Sequence, residues 1–342
     1  MSDGITGMVK EYREAPQAVL RQDASRNALR DLIAWCRRHP PEVVVTCARG
    51  SSGHAATFGK HLIERYLGIP VATAAPNIAT LYHQRLKLKN QLVLTISQSG
   101  RSDDLTEFSL MAKSAGATTV AIVNDLESPL ATVCDMTLPM AAGPELSIAA
   151  TKSFIASLAM LLRITSEWTD NRALRAGIDR LPDRLVKAVE LDWTAPLDTL
   201  STANSLMTIG RGPTLAIARE AALKLKETCY LHAEAFSSAE VQHGPLALVS
   251  PLYPIVMFTP TDAAASGMQE LSAALRDMGA ALFCTGMGEN TAGQLPALAP
   301  DHPDVDAVCL IQSFYALTIR LASSRGIDIE QPRHLQKVIR TR

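Results

Sequence analysis

Twice along this chain a short apolar run ends in a glycine turn that opens straight into a helical pattern. The two occurrences are Val45-Thr46-Cys47-Ala48-Arg49-Gly50-Ser51-Ser52 and Met207-Thr208-Ile209-Gly210-Arg211-Gly212-Pro213-Thr214. They lie roughly 160 residues apart, far beyond any solenoid period, so the spacing implies a duplicated domain. In the first half, strands are expected at Glu42-Val43-Val44-Val45-Thr46, Gly68-Ile69-Pro70-Val71-Ala72, Leu92–Ser97 and Thr119–Val123, with a weaker one at Met136-Thr137-Leu138. A helix spans 55–66 between the first two. The second half repeats the alternation: strand Ser205–Gly210, helix 214–231, strand 254–259, helix 262–278, strand 281–285 and a closing helix 306–324. Continuous apolar strands separated by helices indicate a parallel sheet covered on both faces, which is an α/β, doubly wound architecture. A chain of 342 residues favours two such domains over one. The expected division is a helical segment 1–40, a first domain 41–170, a charged helical connector 171–200, a second domain 201–326 and a tail 327–342.

Composition narrows the function classes. Hydrophobic residues make up 47% of the chain and charged ones 20%, as in a well-packed soluble protein. The formal net charge is −1 and no Lys/Arg block occurs, so neither nucleic acid nor an anionic membrane surface is an expected partner. No apolar stretch reaches ~18 residues free of charge, so no membrane span is expected. The polar start MSDGITGMVKEYREAP lacks the character of a secretory signal, and a cytoplasmic location is the expectation. Cys36, Cys47, Cys134, Cys229, Cys284 and Cys309 form no C-x-x-C pair and sit mostly in apolar runs, which reads as buried free thiols in a reducing compartment. No Cys/His cluster has metal-ligand spacing, so no metal site is expected.

Four groups of residues carry possible chemistry. The first is Ser97-Gln98-Ser99-Gly100 with Ser102, where an apolar strand opens into a hydroxyl-rich turn and a helix N-terminus. Outward-pointing N–H groups and hydroxyls make such a turn an anion cradle, and glycine permits close backbone approach. Neither a nucleotide-type glycine loop nor a Walker lysine accompanies it, so one small phosphate suits it best. Arg49-Gly50-Ser51-Ser52-Gly53 offers a second hydroxyl loop at the end of the first strand; a serine N-cap would do the same routinely, but two converging loops on one sheet edge favour a phosphate site. The second group is Glu220, Lys224 and Glu227, which share one helical stripe among apolar neighbours. An exposed Glu–Lys pair is the ordinary explanation of such spacing, whereas burial would suit proton transfer at a carbon beside a carbonyl. The third is His243 ahead of Gly244-Pro245, either a structural histidine or one able to move a ring-oxygen proton near neutral pH. The fourth is Lys337 in the tail, which by itself reads as a solvated lysine.

Taken together, these residues resemble the isomerase half of glucosamine-6-phosphate synthase, a pair of sugar-isomerase (SIS) domains. Further segments carry the resemblance: Ala150-Thr151-Lys152-Ser153-Phe154, Glu220-Ala221-Ala222-Leu223-Lys224-Leu225-Lys226-Glu227, His232-Ala233-Glu234-Ala235, His243-Gly244-Pro245-Leu246-Ala247-Leu248 and Asp328-Ile329-Glu330-Gln331-Pro332-Arg333. It implies two tandem flavodoxin-like SIS domains, each with a five-stranded parallel sheet. It implies a sugar 6-phosphate held by Ser52, Ser97, Gln98, Ser99 and Ser102, with Ile148 supplying a backbone contact to the sugar; Ser51, in the same loop as Ser52, is a further phosphate-binding candidate. On the same resemblance Glu227 is the base between C1 and C2, Lys224 assists the enolamine intermediate and Lys337 can form an imine with the ketose; Glu220, on the same helical stripe, joins them as a catalytic candidate. His243 would open the sugar ring, donated across the interface of a homodimer. No organic cofactor is implied.

The departures shape the expected reaction. Ser2 stands where the synthase carries an N-terminal nucleophilic cysteine, and about 40 residues precede the first strand, so no glutaminase domain is expected in this chain. Arg49 replaces the usual cysteine of Cys-Gly-Thr-Ser, Arg101 a glutamate, and Gln242 the lysine before the histidine. Without an ammonia source the chemistry is expected to run toward breakdown, as in stand-alone synthase-like glucosamine-6-phosphate deaminases. The rival readings are a plain aldose–ketose phosphate isomerase, a fructosamine-6-phosphate deglycase and a non-catalytic sugar-phosphate sensor. A sensor of this type would be expected to carry a DNA-binding helix-turn-helix, and the N-terminal segment is too short and insufficiently basic for one.

Overall fold

The computed structural model describes residues 7–286 and 291–337. By its internal contacts the chain divides into two compact units. The N-terminal unit takes residues 14–145, 152–179 and 336–342; the C-terminal unit takes 1–13, 146–151 and 180–335. The first described helix, α1 (Gly7–Arg13), therefore counts with the C-terminal unit.

The N-terminal unit begins with α2 (Ala15–Arg21) and α3 (Arg26–Arg38), then alternates β1 (Val44–Ala48), α4 (Gly50–Leu67), β2 (Val71–Thr73), α5 (Asn77–Thr80), β3 (Leu92–Ser97), α6 (Asp103–Ser114), β4 (Thr118–Val123), α7 (Pro129–Val133) and β5 (Met136–Pro139). All five strands are parallel, in the order β2-β1-β3-β4-β5. All six residues of β3 are buried, as expected of a central strand with helices on both faces. Helix α8 (Lys152–Thr169) packs on α4 closely enough that a Cβ on Gly59 would lie 2.9 Å from Leu161. The helix expected from residue 55 starts at Gly50, so Ser51 and Ser52 sit inside its first turn.

Helix α9 (Arg172–Val189) carries the chain out of this unit. The C-terminal unit continues with α10 (Leu197–Thr202), β6 (Ser205–Gly210), α11 (Pro213–Cys229), β7 (His232–Ser237), β8 (Pro254–Phe258), α12 (Ala265–Asp277), β9 (Ala281–Cys284) and α13 (Pro303–Ser324). Its parallel sheet runs β7-β6-β8-β9. Among the described residues this sheet has four strands, where five were expected in each domain. After β9 a single bridge, Cys284 to Gln294, extends it among the described residues. The sequence gives the reason: Gly293, Pro296 and Pro300 interrupt the stretch, and proline removes a ladder donor. Strand β7 was not expected, because only Ala233 and Ser237 of its six residues are buried and it has no continuous apolar run.

Helix α13 meets, by length and composition alone, the criterion for crossing a membrane, but 83% of that window is buried. It belongs to an aromatic cluster in which Phe314 meets Phe258 edge-on at 5.7 Å and Trp193 lies 6.0 Å from Phe258. The Trp193 Nε1–H satisfies itself on the Pro296 carbonyl at 2.9 Å. All six cysteines are buried and free. Burial pushes the thiols of Cys36 and Cys309 up to about 12 and that of Cys229 up to about 11.

Gly210 closes β6 against the first turn of α11. A Cβ there would lie 2.2 Å from the Thr214 carbonyl oxygen and 2.8 Å from Leu215 N. That turn has little freedom to yield, since Thr214 Oγ1 accepts from Arg211 N at 3.0 Å and donates to the Phe258 carbonyl at 2.6 Å. Gly210→Ala is expected to lower stability by roughly 2–4 kcal/mol, read as a reduced urea midpoint with unchanged slope.

Candidate functional site

Strands β1 and β3 are parallel neighbours, with Cys47 opposite Thr95 and Ala48 opposite Ile96, so the loops they open into leave the sheet side by side. The strand order also reverses here: β1 leads outward to β2 and β3 outward to β4. Such a switch point is where open parallel sheets bind ligands. Ser97 ends β3, is buried, and accepts a hydrogen bond from Gly100 N at 3.1 Å. Ser99 Oγ accepts from Arg101 N at 3.3 Å, and Ser102 is the extended residue that caps α6. The Gln98 carbonyl accepts from Asn124 N at 3.1 Å, which ties the turn to the end of β4. Gly100 adopts φ +62°, and a Cβ there would fall 2.1 Å from Ser128 Oγ. Only glycine fits that position.

The two loops are also bonded across their rim. Arg49 donates from Nε (3.0 Å) and one Nη (2.8 Å) to Oδ2 of Asp104 in the first turn of α6. The Asp104 side chain is 2% exposed and its other oxygen, Oδ1, has no partner among the described residues. Arg101 pairs with Asp125 at 2.7 Å, and this contact holds the Asp125 carboxyl below its ordinary range. Both rim arginines are therefore already engaged by carboxylates of their own unit.

Lys337 belongs to the same unit. Its Nζ lies 3.5 Å from Glu145 Oε2. The Glu145 side chain is fully buried and accepts from Ser153 N (3.1 Å) and Ser153 Oγ (2.5 Å). Lys152, also buried, pairs with Glu14 at 2.5 Å. These contacts give the tail lysine a defined carboxylate neighbour in place of solvent.

The C-terminal unit holds the second candidate group. On α11 the Glu220 and Lys224 side chains are fully buried and that of Glu227 is 21% exposed. Lys224 Nζ reaches Glu227 Oε2 at 2.5 Å and Glu220 Oε1 at 3.4 Å. The stripe expected from the spacing is thus an ion-pair ladder. Glu227 is its one accessible end, and its Oε1 has no partner among the described residues. Ile148 is half-buried, and the segment before it is pinned by two carboxylates. Glu11 accepts from Leu146 N and from Ser147 N (3.2 Å), while Glu330 accepts from Ser147 Oγ (3.2 Å) and from Met8 N (2.9 Å). His243 is exposed at the end of a short 3-10 turn, its N–H bonded to the Glu240 carbonyl at 2.9 Å, before Gly244 at φ +125°.

Residues 41–165 and 199–323 each match the SIS domain family. The chain belongs to the SIS-domain family. Its two SIS domains share 32% identity with a glutamine–fructose-6-phosphate aminotransferase (isomerizing) of Sulfolobus acidocaldarius, over 97% of this chain and 56% of that protein. The chain thus spans just over half the length of this relative. Among solved structures, a Silicibacter pomeroyi protein provisionally described as a phosphosugar isomerase superposes with a TM-score of 0.90 at 41% identity, covering 95% of this chain and all of that one. The C-terminal domain of the Francisella tularensis glucosamine-fructose-6-phosphate aminotransferase gives 0.86 at 25% identity, covering 97% of this chain and all of that one.

Within the SIS frame the serine-loop residues Ser51, Ser52, Ser97, Gln98, Ser99 and Ser102, together with Lys337, fall in one unit. Glu220, Lys224, Glu227, His243 and Ile148 fall in the other. Asp104, Glu145 and Glu11 escaped the sequence reading, and Glu330 entered it only as part of the segment 328–333, with no role assigned. Asp104 follows another aspartate at a helix start, where carboxylates are ordinary helix-end stabilisers. The other three carry no local pattern, because each bonds a partner far away in sequence. Among the described residues no group of three or more His, Cys, Asp or Glu could hold a metal ion.

Replacing Arg49 by Ala would leave the buried Asp104 without its cation. Arg49→Ala is expected to cost roughly 1–3 kcal/mol, and Arg49→Ala with Asp104→Asn less than the sum of the single changes, a coupling that denaturant unfolding of the four proteins measures.

Proposed function

We propose that this SIS protein is a glucosamine-6-phosphate deaminase that converts glucosamine 6-phosphate and water into fructose 6-phosphate and ammonia. The relatives, which include an isomerizing aminotransferase and a provisional phosphosugar isomerase, support an enzyme acting on sugar phosphates. The observation that carries the finer reading is Glu227: its Oε2 is fixed by buried Lys224 at 2.5 Å, its Oε1 has no partner among the described residues, and the side chain keeps 21% of its surface exposed. A base that must take a proton from one carbon and return it to the next needs an oriented carboxylate of this kind.

In this reading the serine hydroxyls and backbone donors of 51–52 and 97–102 hold the phosphate. His243, contributed by the second subunit of a homodimer, passes the ring proton and opens the pyranose. Glu227 removes the C2 proton of the open-chain aldehyde and delivers it to C1 through an enolamine. Lys224, itself anchored by Glu220, keeps the carboxylate aimed and offsets charge in the intermediate. The product is a C2 imine; water adds to it, and expulsion of ammonia leaves the ketose. Lys337 can exchange with that imine at C2, since its amine is of the same class as the departing one. The substrate nitrogen itself stabilises the intermediate, so the scheme calls on no metal or organic cofactor.

Ammonia release coupled to fructose 6-phosphate formation tests the reading. Wild-type protein is expected to act on glucosamine 6-phosphate and not on free glucosamine, with galactosamine 6-phosphate reporting the role of C4. Glu227→Gln is expected to lower kcat by roughly 10²–10⁴ with KM little changed. Near-full ammonia release by that variant would overturn the assignment, and fructose 6-phosphate formed from glucose 6-phosphate without ammonia from the amino sugar would favour the plain isomerase. Mixing inactive Glu227→Gln and His243→Ala proteins is expected to restore activity in about a quarter of sites if the histidine is donated across the dimer.

A further inference from the structure

The two sheets have corresponding strand orders, β2-β1-β3-β4 and β7-β6-β8-β9, so β6 stands for β1 and β8 for β3. The turn after β6 repeats the one after β1: Arg49-Gly50 with glycine at φ +51°, and Arg211-Gly212 with glycine at φ +55°. Helix α12 after β8 then corresponds to α6 after β3. What differs is the charge facing the arginine. In the N-terminal unit the first turn of α6 brings Asp104 to Arg49. In the C-terminal unit α12 begins Ala265-Ser266-Gly267, and its first carboxylate is Glu270, one turn further on. The Arg211 side chain has no hydrogen-bond or ion-pair partner among the described residues. It lines a cleft of ≈ 500 Å³ together with Ser238, Gln242, Ser266 and Glu270.

We propose that this cleft is a second binding site, taking a small phosphate ester that also carries an amine. Arg211, which is exposed, supplies the positive charge for the phosphate, and the Ser238 and Ser266 hydroxyls and the Gln242 amide, whose Nε2 also donates to the Ser238 carbonyl at 3.1 Å, supply further donors. Glu270 gives the same cleft a negative end, which a bare anion would not need and a protonated amine would meet. The volume lies in the range of small-molecule sites and exceeds what one inorganic ion requires. Gln242 precedes His243, so an occupant touching Gln242 also bears on the turn that presents the histidine. The divergence between the halves therefore has a chemical sense: one arginine is neutralised within its unit, and the other keeps its charge for a ligand.

Two unreactive probes, glucitol 6-phosphate and 2-amino-2-deoxyglucitol 6-phosphate, test this by calorimetric titration of the full chain, with no turnover involved. Wild-type protein is expected to bind two molecules of the amino probe per chain. Arg211→Gln is expected to retain one with unchanged affinity, and the Ser97→Ala, Ser99→Ala double variant to retain the other. Glu270→Gln is expected to weaken the second binding of the amino probe at least threefold while leaving glucitol 6-phosphate unaffected. A wild-type stoichiometry that Arg211→Gln does not lower overturns the proposal. A single wild-type site that is lost in Arg211→Gln and kept in the Ser97→Ala, Ser99→Ala double variant would instead count against the serine site of the deaminase reading, so the two failures are distinguishable.

Discussion

A charge withdrawn from water must be met by another, and that requirement organises nearly every residue of chemical interest here. Asp104, Glu145, Glu220, Lys152 and Lys224 have side chains almost wholly removed from solvent, and each lies against an opposite charge. A buried pair adds little net stability over apolar packing, but breaking it by removing one partner is expensive. The value of these pairs is therefore positional. Arg49 and Asp104 hold two loops of the sheet edge to one another, Glu220 and Lys224 aim Glu227, and Glu145 gives Lys337 a fixed neighbour. The ions set where the hydroxyl-bearing loops stand.

The architecture was legible because it rests on local signals. Val44–Ala48, Leu92–Ser97 and Ser205–Gly210 are apolar enough to be read as buried strands, and glycine turns mark where each hands over to a helix. Edges were harder. Strand β7 hides one face only, and proline after β9 leaves the second sheet a strand short among the described residues. Helix starts were placed late at residues 50, 213 and 303, because glycine, serine and proline in a first turn look like loop until the carbonyls they serve are known.

The candidate site divides in the same way. The stripe of Glu220, Lys224 and Glu227 was readable because a helix fixes its spacing, and the structure shows that stripe withdrawn from solvent except at Glu227. Asp104 and Glu145 were not, since their partners Arg49 and Lys337 lie 55 and 192 residues away in sequence. Such pairings are products of topology. A sequence motif records a hydroxyl-rich turn more faithfully than the carboxylates that steady it.

The six buried thiols have a use beyond packing. Cys36, Cys47 and Cys134 lie in one unit and Cys229, Cys284 and Cys309 in the other. A thiol raised to about 11 or 12 carries almost no thiolate at neutral pH, and it is the thiolate that attacks an alkylating reagent. Each modification must therefore wait for its surroundings to open. The chain carries two sets of three internal clocks, so mapping which cysteines label, and how fast, would read the opening of each half separately in the unmodified wild-type protein.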